Sequence, residues 1–313
     1  MMKLIRGLHN LSSLPQGCVA TIGNFDGVHI GHQHVLAQLK QKGDELGLPT
    51  VVMTFDPQPQ EFFKRGTVPA RLTRLREKLL IMKRLGCVDK VLCIIFNDQL
   101  AAMPAQTFVE QVLVEKPKIQ FLVVGDDFRF GHDRLGDFRL LQEMGAEYGF
   151  EVIRMPSVQY EGRRVSSSWV RRVLTEGNLQ LAEHLLGRPY SMCGRVAHGD
   201  KLGRTLGFPT ANIYLHRNVS PVLGIFVVKM YGIREQAILG VANVGNRPTV
   251  GGTRTLLEVF LFDFNEDIYG RHVRVDFLHK LRDEEYFESI ELLKQQMVID
   301  AENARAFFAS SKG

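Results

Sequence analysis

The chain has 313 residues, 45% of them apolar and 23% charged, with a formal net charge of +5. That length accommodates about two domains, the composition excludes wholesale disorder, and no apolar run approaches the roughly 20 residues of a membrane-spanning helix. Lys and Arg are dispersed rather than gathered into a run, so the positive excess suits anionic small molecules and argues against an extended nucleic-acid surface.

The N-terminus, Met1 to Gly7, lacks the long apolar stretch of a secretory signal. Cys18, Cys87, Cys93 and Cys193 have neither CxxC spacing nor a disulfide-dense pattern, which points to a reduced cytoplasmic chain without structural zinc.

The first clear element is Cys18 to Ile22, an apolar run of strand length. It feeds Gly23-Asn24-Phe25-Asp26-Gly27-Val28-His29-Ile30-Gly31-His32, after which Val35 to Leu39 opens a helical pattern. A strand, a glycine-punctuated turn and a helix start make an anion site, because glycine admits close backbone approach and helix-start N–H groups point outward. His29 and His32 are three apart, so both imidazoles can serve beside those N–H groups as further donors; the alternative is that they are solvated helix-entry residues.

Strand-like and helical runs then alternate. Strands are expected at Thr50 to Phe55, Lys90 to Phe96, Phe121 to Val124 and Glu151 to Met155, and helices at Leu72 to Leu85, Pro104 to Val114 and Arg134 to Tyr148. This alternation predicts a doubly wound α/β parallel sheet whose ligands bind beyond the carboxyl ends of the strands. Two further loops, Phe55 to Pro59 and Gly125 to Gly131, should open on the same edge. Val165-Ser166-Ser167-Ser168-Trp169-Val170-Arg171-Arg172 is a serine-rich helix start, either a plain cap or a second phosphate cradle of hydroxyls, N–H groups and guanidinium.

A helix at Asn178 to Leu186 closes at Gly187-Arg188-Pro189, and the domain boundary is placed there, giving domains 1–187 and 188–313. Six short strands are expected beyond it: Tyr190 to Ala197, Ala211 to Leu215, Ile225 to Met230, Gln236 to Val244, Thr255 to Asp263 and His272 to Leu278. They predict a small antiparallel β-barrel, followed by a C-terminal helix over Asp283 to Phe308. The loop Gly194 to Asn212 carries Gly199, Lys201, Gly203 and Arg204, which could wrap a nucleotide phosphate. Glu258 stands in the apolar strand Leu256 to Phe262. It either lies on a solvent face or points into the barrel mouth, where it could take a proton from an attacking hydroxyl.

Taken together, these motifs resemble the bacterial bifunctional riboflavin kinase/FAD synthetases: the GNFDGVHxGH decapeptide, FDPQP, GDDFRFG, SSSWVR and GRTLGFPTAN stand in family order. The resemblance spans roughly residues 15 to 305. It implies a nucleotidyltransferase fold ahead of a riboflavin kinase barrel, with riboflavin, FMN, ATP, FAD, ADP and pyrophosphate as ligands and Mg²⁺ as cofactor. The dispersed charge and the lack of a membrane-length apolar run give the expectation of no nucleic acid and no membrane partner, and homo-oligomerisation stays open.

By the same resemblance Gly23, Asn24, Phe25 and Gly31 belong to the nucleotide turn, with His29 and His32 acting on the α-phosphoryl group. Asp127 contacts ligand, and Ser167, Ser168 and Arg171 brace the triphosphate. Thr210 and Asn212 help bind Mg²⁺ and ATP phosphates, Glu258 is the kinase base, and Arg282 borders the flavin. Gln58 and Phe260 stand where the family usually has histidine.

Overall fold

The computed structural model describes residues 2–63, 68–198, 207–215, 217, 219–249 and 252–310. Packing divides the chain into two units, Met1–Pro69 with Thr73–Ser166, and Ala70–Leu72 with Ser167–Gly313. This division falls ahead of residue 187 because the helix at Leu179–Leu186 packs on barrel strands.

In the first unit, β1 (Lys3–Arg6), β2 (Cys18–Ile22), β3 (Thr50–Phe55), β4 (Lys90–Ile94), β5 (Ile119–Gly125) and β6 (Glu151–Met155) form one sheet in the order β1-β4-β3-β2-β5-β6. Every pairing in it is parallel. The alternation of side chains across a strand explains the two cores. Ala20, Ile22, Val51, Met53, Leu92, Ile94, Leu122 and Val124 bury one face, and Val19, Val52, Val91, Phe121 and Val123 the other.

Helices cover both faces. Here α1 (Ile30–Leu46) and α2 (Pro59–Phe63) precede α3 (Leu75–Leu85), and α1 and α3 pack on the Val19 side. The other face is covered by α5 (Ala105–Phe108), which follows α4 (Asp98–Ala101) and continues as a π-helical turn over Val109–Val114, and by α6 (Phe138–Tyr148). The doubly wound parallel sheet read from the sequence is thus present, with local differences. The edge strand β1 adds a sixth strand that four residues were too short to announce. The helix expected at Pro104 to Val114 changes type at Val109. The helix expected from Arg134 begins at Phe138, where Asp137 caps it by accepting the Leu140 N–H at 3.0 Å.

The chain runs outward from β2 through β3 to β4 and returns through β5 to β6, so the strand order reverses between β2 and β5. Ligands of open α/β sheets occupy the crevice at such a reversal. The histidine turn leaves β2 and the Gly125–Gly131 loop leaves β5, which puts both at this point. A short hairpin, β7 (Gln159–Tyr160) and β8 (Arg163–Arg164), completes the unit.

The second unit opens with α7 (Ser167–Thr175) and α8 (Leu179–Leu186) and holds a closed barrel. Its strands are β9 (Tyr190–Ala197), β10 (Thr210–Tyr214), β11 (Gly224–Tyr231), β12 (Ile238–Thr249), β13 (Gly252–Leu261) and β14 (His272–Arg282), in the order β10-β13-β12-β11-β14-β9. All pairings are antiparallel, and β9 to β10 closes the ring. Ile213, Phe226, Val228, Ala242, Val244, Leu257, Val259 and Phe277 are fully or almost fully buried. Register partners point the same way and neighbours along a strand point oppositely, so these residues fill the barrel. A separate cluster of Val227, Phe262, Ala304 and Phe308, joined by Val241 and Phe260, seats α9 (Ile290–Ser310) against the outside. The expected antiparallel barrel and C-terminal helix are both realised, although the helix starts at Ile290 rather than Asp283.

Candidate active sites

The turn after β2 is an unusual piece of backbone. Phe25, Gly27 and Val28 all have positive φ, at 47°, 82° and 44°. For a β-branched residue such as Val28 this is a strained conformation that its surroundings must hold in place. The holding groups come from α3 and the segment leading into it. Asp26 accepts the Thr73 N–H at 2.9 Å, the Gly27 N–H donates to Thr73 Oγ1 at 2.9 Å, and Lys78 Nζ donates to the Asn24 carbonyl. Lys78 also donates to Thr54 Oγ1 at 3.2 Å and is only 2% exposed.

His29 caps α1: its Nδ1 accepts the His32 backbone N–H at 3.3 Å. With Nδ1 accepting, the neutral ring carries its proton on Nε2. Gly31 makes room for this, since a Cβ there would stand 3.2 Å from the His29 ring. The two imidazoles stack with centroids 3.7 Å apart and planes 15° from parallel. Burial, then His29, then Lys78 push the His32 proton affinity well below its ordinary 6.5. His32 Nδ1 and Asn24 Oδ1 are buried without a hydrogen-bond partner. His32 is thus held neutral, while His29 is engaged through its Nδ1 as the cap of α1.

Asp127, at the end of β5, is exposed and pairs with Arg164 of β8 at 2.8 Å; Arg164 also meets Asp126 at 3.2 Å. Ser157 Oγ donates to Asp126 at 2.6 Å. The second unit holds the serine-rich helix start. Ser167 opens α7, Ser168 is exposed, and Trp169, Val170, Val173 and Leu174 bury the opposite face. The Arg171 Nε donates to the Ala70 carbonyl at 2.7 Å. The neighbouring carbonyls of Arg71 and Leu72 accept from Arg217, and Leu72 also from the Tyr190 hydroxyl.

On the barrel, Glu258 does not enter the interior. Leu257 and Val259 on either side of it are fully buried inside, so Glu258 faces outward, where it is half-buried. Its register partners are Asn212 on β10 and Asn243 on β12. One row across three strands thus reads Asn212, Glu258, Asn243, with Thr210 opposite Phe260 two residues along. Asn212 is buried, and Asn243 Oδ1 is buried with no hydrogen-bond partner. Phe260, in the place the family usually gives to histidine, packs edge-on against Phe208 with centroids 4.9 Å apart. Gly199, Lys201, Gly203 and Arg204 lie outside the described residues.

Residues 11–169 match the family model described as FAD synthetase, and residues 186–308 the one described as riboflavin kinase. A bifunctional riboflavin kinase/FMN adenylyltransferase of Escherichia coli (strain K12) is 53% identical over 312 residues, covering 99% of each chain. Its counterpart in Haemophilus influenzae is 50% identical over 309 residues, covering 99% of this chain and all of its own (100%). The crystal structure of a macrolide-efflux protein from Streptococcus pneumoniae aligns with a TM-score of 0.82 at 32% identity, covering 97% of this chain and 98% of that one.

The chain belongs to the bifunctional riboflavin kinase/FMN adenylyltransferase family.

It is an ATP-using enzyme of flavin cofactor biosynthesis with two activities, riboflavin kinase and FMN adenylyltransferase. No helix among the described residues is long and apolar enough to cross a membrane. Among those residues there is also no cluster of three or more His, Cys, Asp or Glu side chains that could hold a metal. What strand β10 offers instead is neutral hard oxygen, from Thr210 and Asn212. That set fits Mg²⁺, which keeps several waters and takes its remaining ligands from substrate phosphates.

Arg282 is tied to the C-terminal helix. Its Nε and a terminal nitrogen clasp both oxygens of Asp300 on α9, at 3.0 and 2.7 Å, and Gln296 adds a further hydrogen bond to Asp300 at 3.0 Å. Lys78 and Asn243 are the site-adjacent residues that sequence reasoning did not single out. A lysine in an amphipathic helix gives no sign of being buried, whereas an asparagine inside the apolar run Gly240 to Val244 was a usable signal.

Proposed function

We propose that the two activities use separate residue sets. In the kinase, Glu258 takes the proton from the riboflavin 5′-hydroxyl as that oxygen attacks the γ-phosphoryl group of ATP, giving FMN and ADP. Asn212 and Thr210 are assigned to the phosphates and to Mg²⁺, which when bound neutralises charge developing on the transferred group. The supporting observation is the row itself, which sets a half-buried carboxylate in register beside a buried asparagine on the barrel's outer face.

In the adenylyltransferase, the FMN phosphate attacks the α-phosphorus of ATP and pyrophosphate leaves. The substrate supplies the nucleophile, so the protein's part is positioning and charge stabilisation. His29 and His32 donate neutral N–H groups to the α-phosphoryl oxygens. Gly23, Asn24, Phe25 and Gly31 shape the turn that receives the nucleotide, and Asp127 contacts ligand beside it. Ser167, Ser168 and Arg171 form a phosphate cradle at the start of α7, and Gly199, Lys201, Gly203 and Arg204 wrap the kinase's nucleotide. Composition and cysteine usage support a cytoplasmic location.

The test is to give the double variant His29→Ala/His32→Ala riboflavin, ATP and Mg²⁺ and resolve the flavins by chromatography. It should accumulate FMN and form FAD slowly or not at all. FAD formation at the unmodified rate refutes the histidine assignment.

A further inference from the structure

We propose that Asn243 binds the acceptor substrate of the kinase, its Oδ1 accepting a hydrogen bond from the polyol hydroxyl next to the one that is phosphorylated. The inference rests on the reading of Glu258 as the base, and goes beyond it by naming a contact that decides which acceptor is used.

A buried amide oxygen without a donor is costly, and such groups are rare in folded proteins. Asn243 Oδ1 is one of them. Its place is not arbitrary. Asn243 and Asn212 are the two register partners of Glu258, on β12 and β10 respectively, so they flank the carboxylate from opposite sides. Directly opposed side chains on antiparallel strands stand about 5 Å apart at Cβ. All three share the outward face, since their strand neighbours Ala242, Val244, Leu257, Val259 and Ile213 are buried in the barrel.

The order of the row fixes which ligand meets which asparagine. In-line transfer needs the attacking oxygen between the base and the phosphoryl donor, with the rest of the acceptor directed away from that donor. With the phosphates on the Asn212 side, the carbon chain of the acceptor leaves Glu258 toward Asn243. A ribityl chain carries a hydroxyl on each successive carbon, so the 4′-hydroxyl arrives there as a donor when the 5′-hydroxyl is at Glu258. The orphan oxygen is then paired only when a vicinal diol is bound. A site built to pair with a substrate hydroxyl also rejects an analogue that lacks it, because the buried acceptor is again left alone.

The experiment measures kcat/KM for riboflavin and for 4′-deoxyriboflavin with the unmodified enzyme, Asn243→Ala, Asn243→Ser and Glu258→Gln. The unmodified enzyme should prefer riboflavin by roughly ten- to a hundredfold. Asn243→Ala should lose a similar factor on riboflavin and discriminate between the two substrates less than threefold. Asn243→Ser, which keeps a small polar group on the strand but falls short of the hydroxyl, should behave in the same way and carries the test if the alanine variant does not fold. Equal discrimination by the unmodified enzyme and either Asn243 variant overturns the proposal, as does a loss confined to the KM for ATP. Glu258→Gln reports separately on the underlying reading. Near-complete loss of FMN formation on both substrates supports it, and retained turnover removes the base assignment whatever the Asn243 variants show.

Discussion

His29 Nδ1 accepts the backbone N–H of His32 while the two rings stack 3.7 Å apart, an arrangement that leaves little room for two positive charges. The His32 proton affinity is depressed by burial first, then by His29 and Lys78. The folded protein therefore holds His32 neutral at a pH where the unfolded chain takes up a proton. Stability from this group is complete above its ordinary 6.5 and is lost as pH falls through the window between that value and the depressed one. His32→Gln should flatten this acid-side loss. Thermal unfolding followed between about pH 7.5 and 5.5 checks it; equal pH slopes for variant and unmodified protein would show that His32 is not the linked group.

Lys78 anchors the same turn from beneath, through the Asn24 carbonyl and Thr54 Oγ1. Lys78→Met keeps the stem and removes the donor, leaving a buried carbonyl short of a partner at a cost of about 1–3 kcal/mol. Because Phe25 and Val28 hold positive φ only while the turn is clamped, conversion of FMN to FAD should fall roughly tenfold to a hundredfold. Lys78→Arg should not restore it, since a guanidinium is larger than a site that leaves the lysine 2% exposed. Urea unfolding and the rate of FAD formation from supplied FMN are the measurements.

Much of this architecture was legible in the chain. The strands at β2, β3 and β4 announced themselves as apolar or β-branched runs, because strands buried on both faces need continuous hydrophobicity. What local pattern did not carry was register. That Glu258 faces outward, with Asn212 and Asn243 at its sides, depends on how β10, β12 and β13 align, and the whole of β11 and β12 separates β10 from β13 in sequence. Likewise the burial of Lys78 arises from a turn more than fifty residues earlier, and the clasp of Arg282 on Asp300 from a helix that follows the barrel.

That clasp yields a prediction of its own. The Arg282 and Asp300 side chains are 17% and 6% exposed, so removing one partner strands a buried charge. Arg282→Ala should cost about 3–5 kcal/mol, and the double change Arg282→Met/Asp300→Leu should cost less than that single one. Denaturant midpoints for the two proteins decide between them. A drop in riboflavin affinity with no change in stability would support the place beside the flavin that the family resemblance gives Arg282.

With Mg²⁺ assigned as proposed to Thr210 and Asn212, the protein supplies neutral oxygens only, and the metal's hold would depend on nucleotide phosphates. Chelation with EDTA should stop FMN formation, and added Mg²⁺ should restore it. The thermal unfolding of the ligand-free protein should not move on chelation. A shift in that midpoint would reveal a metal bound by the protein alone.

The most direct test of two separate residue sets is Glu258→Ala assayed with each substrate in turn. Given riboflavin, ATP and Mg²⁺, this variant should form FMN at least a hundredfold more slowly than the unmodified enzyme. Given FMN in place of riboflavin, it should release pyrophosphate and form FAD at close to the unmodified rate. If both reactions fail together, or if FMN still forms, the assignment of Glu258 to the kinase chemistry alone is wrong.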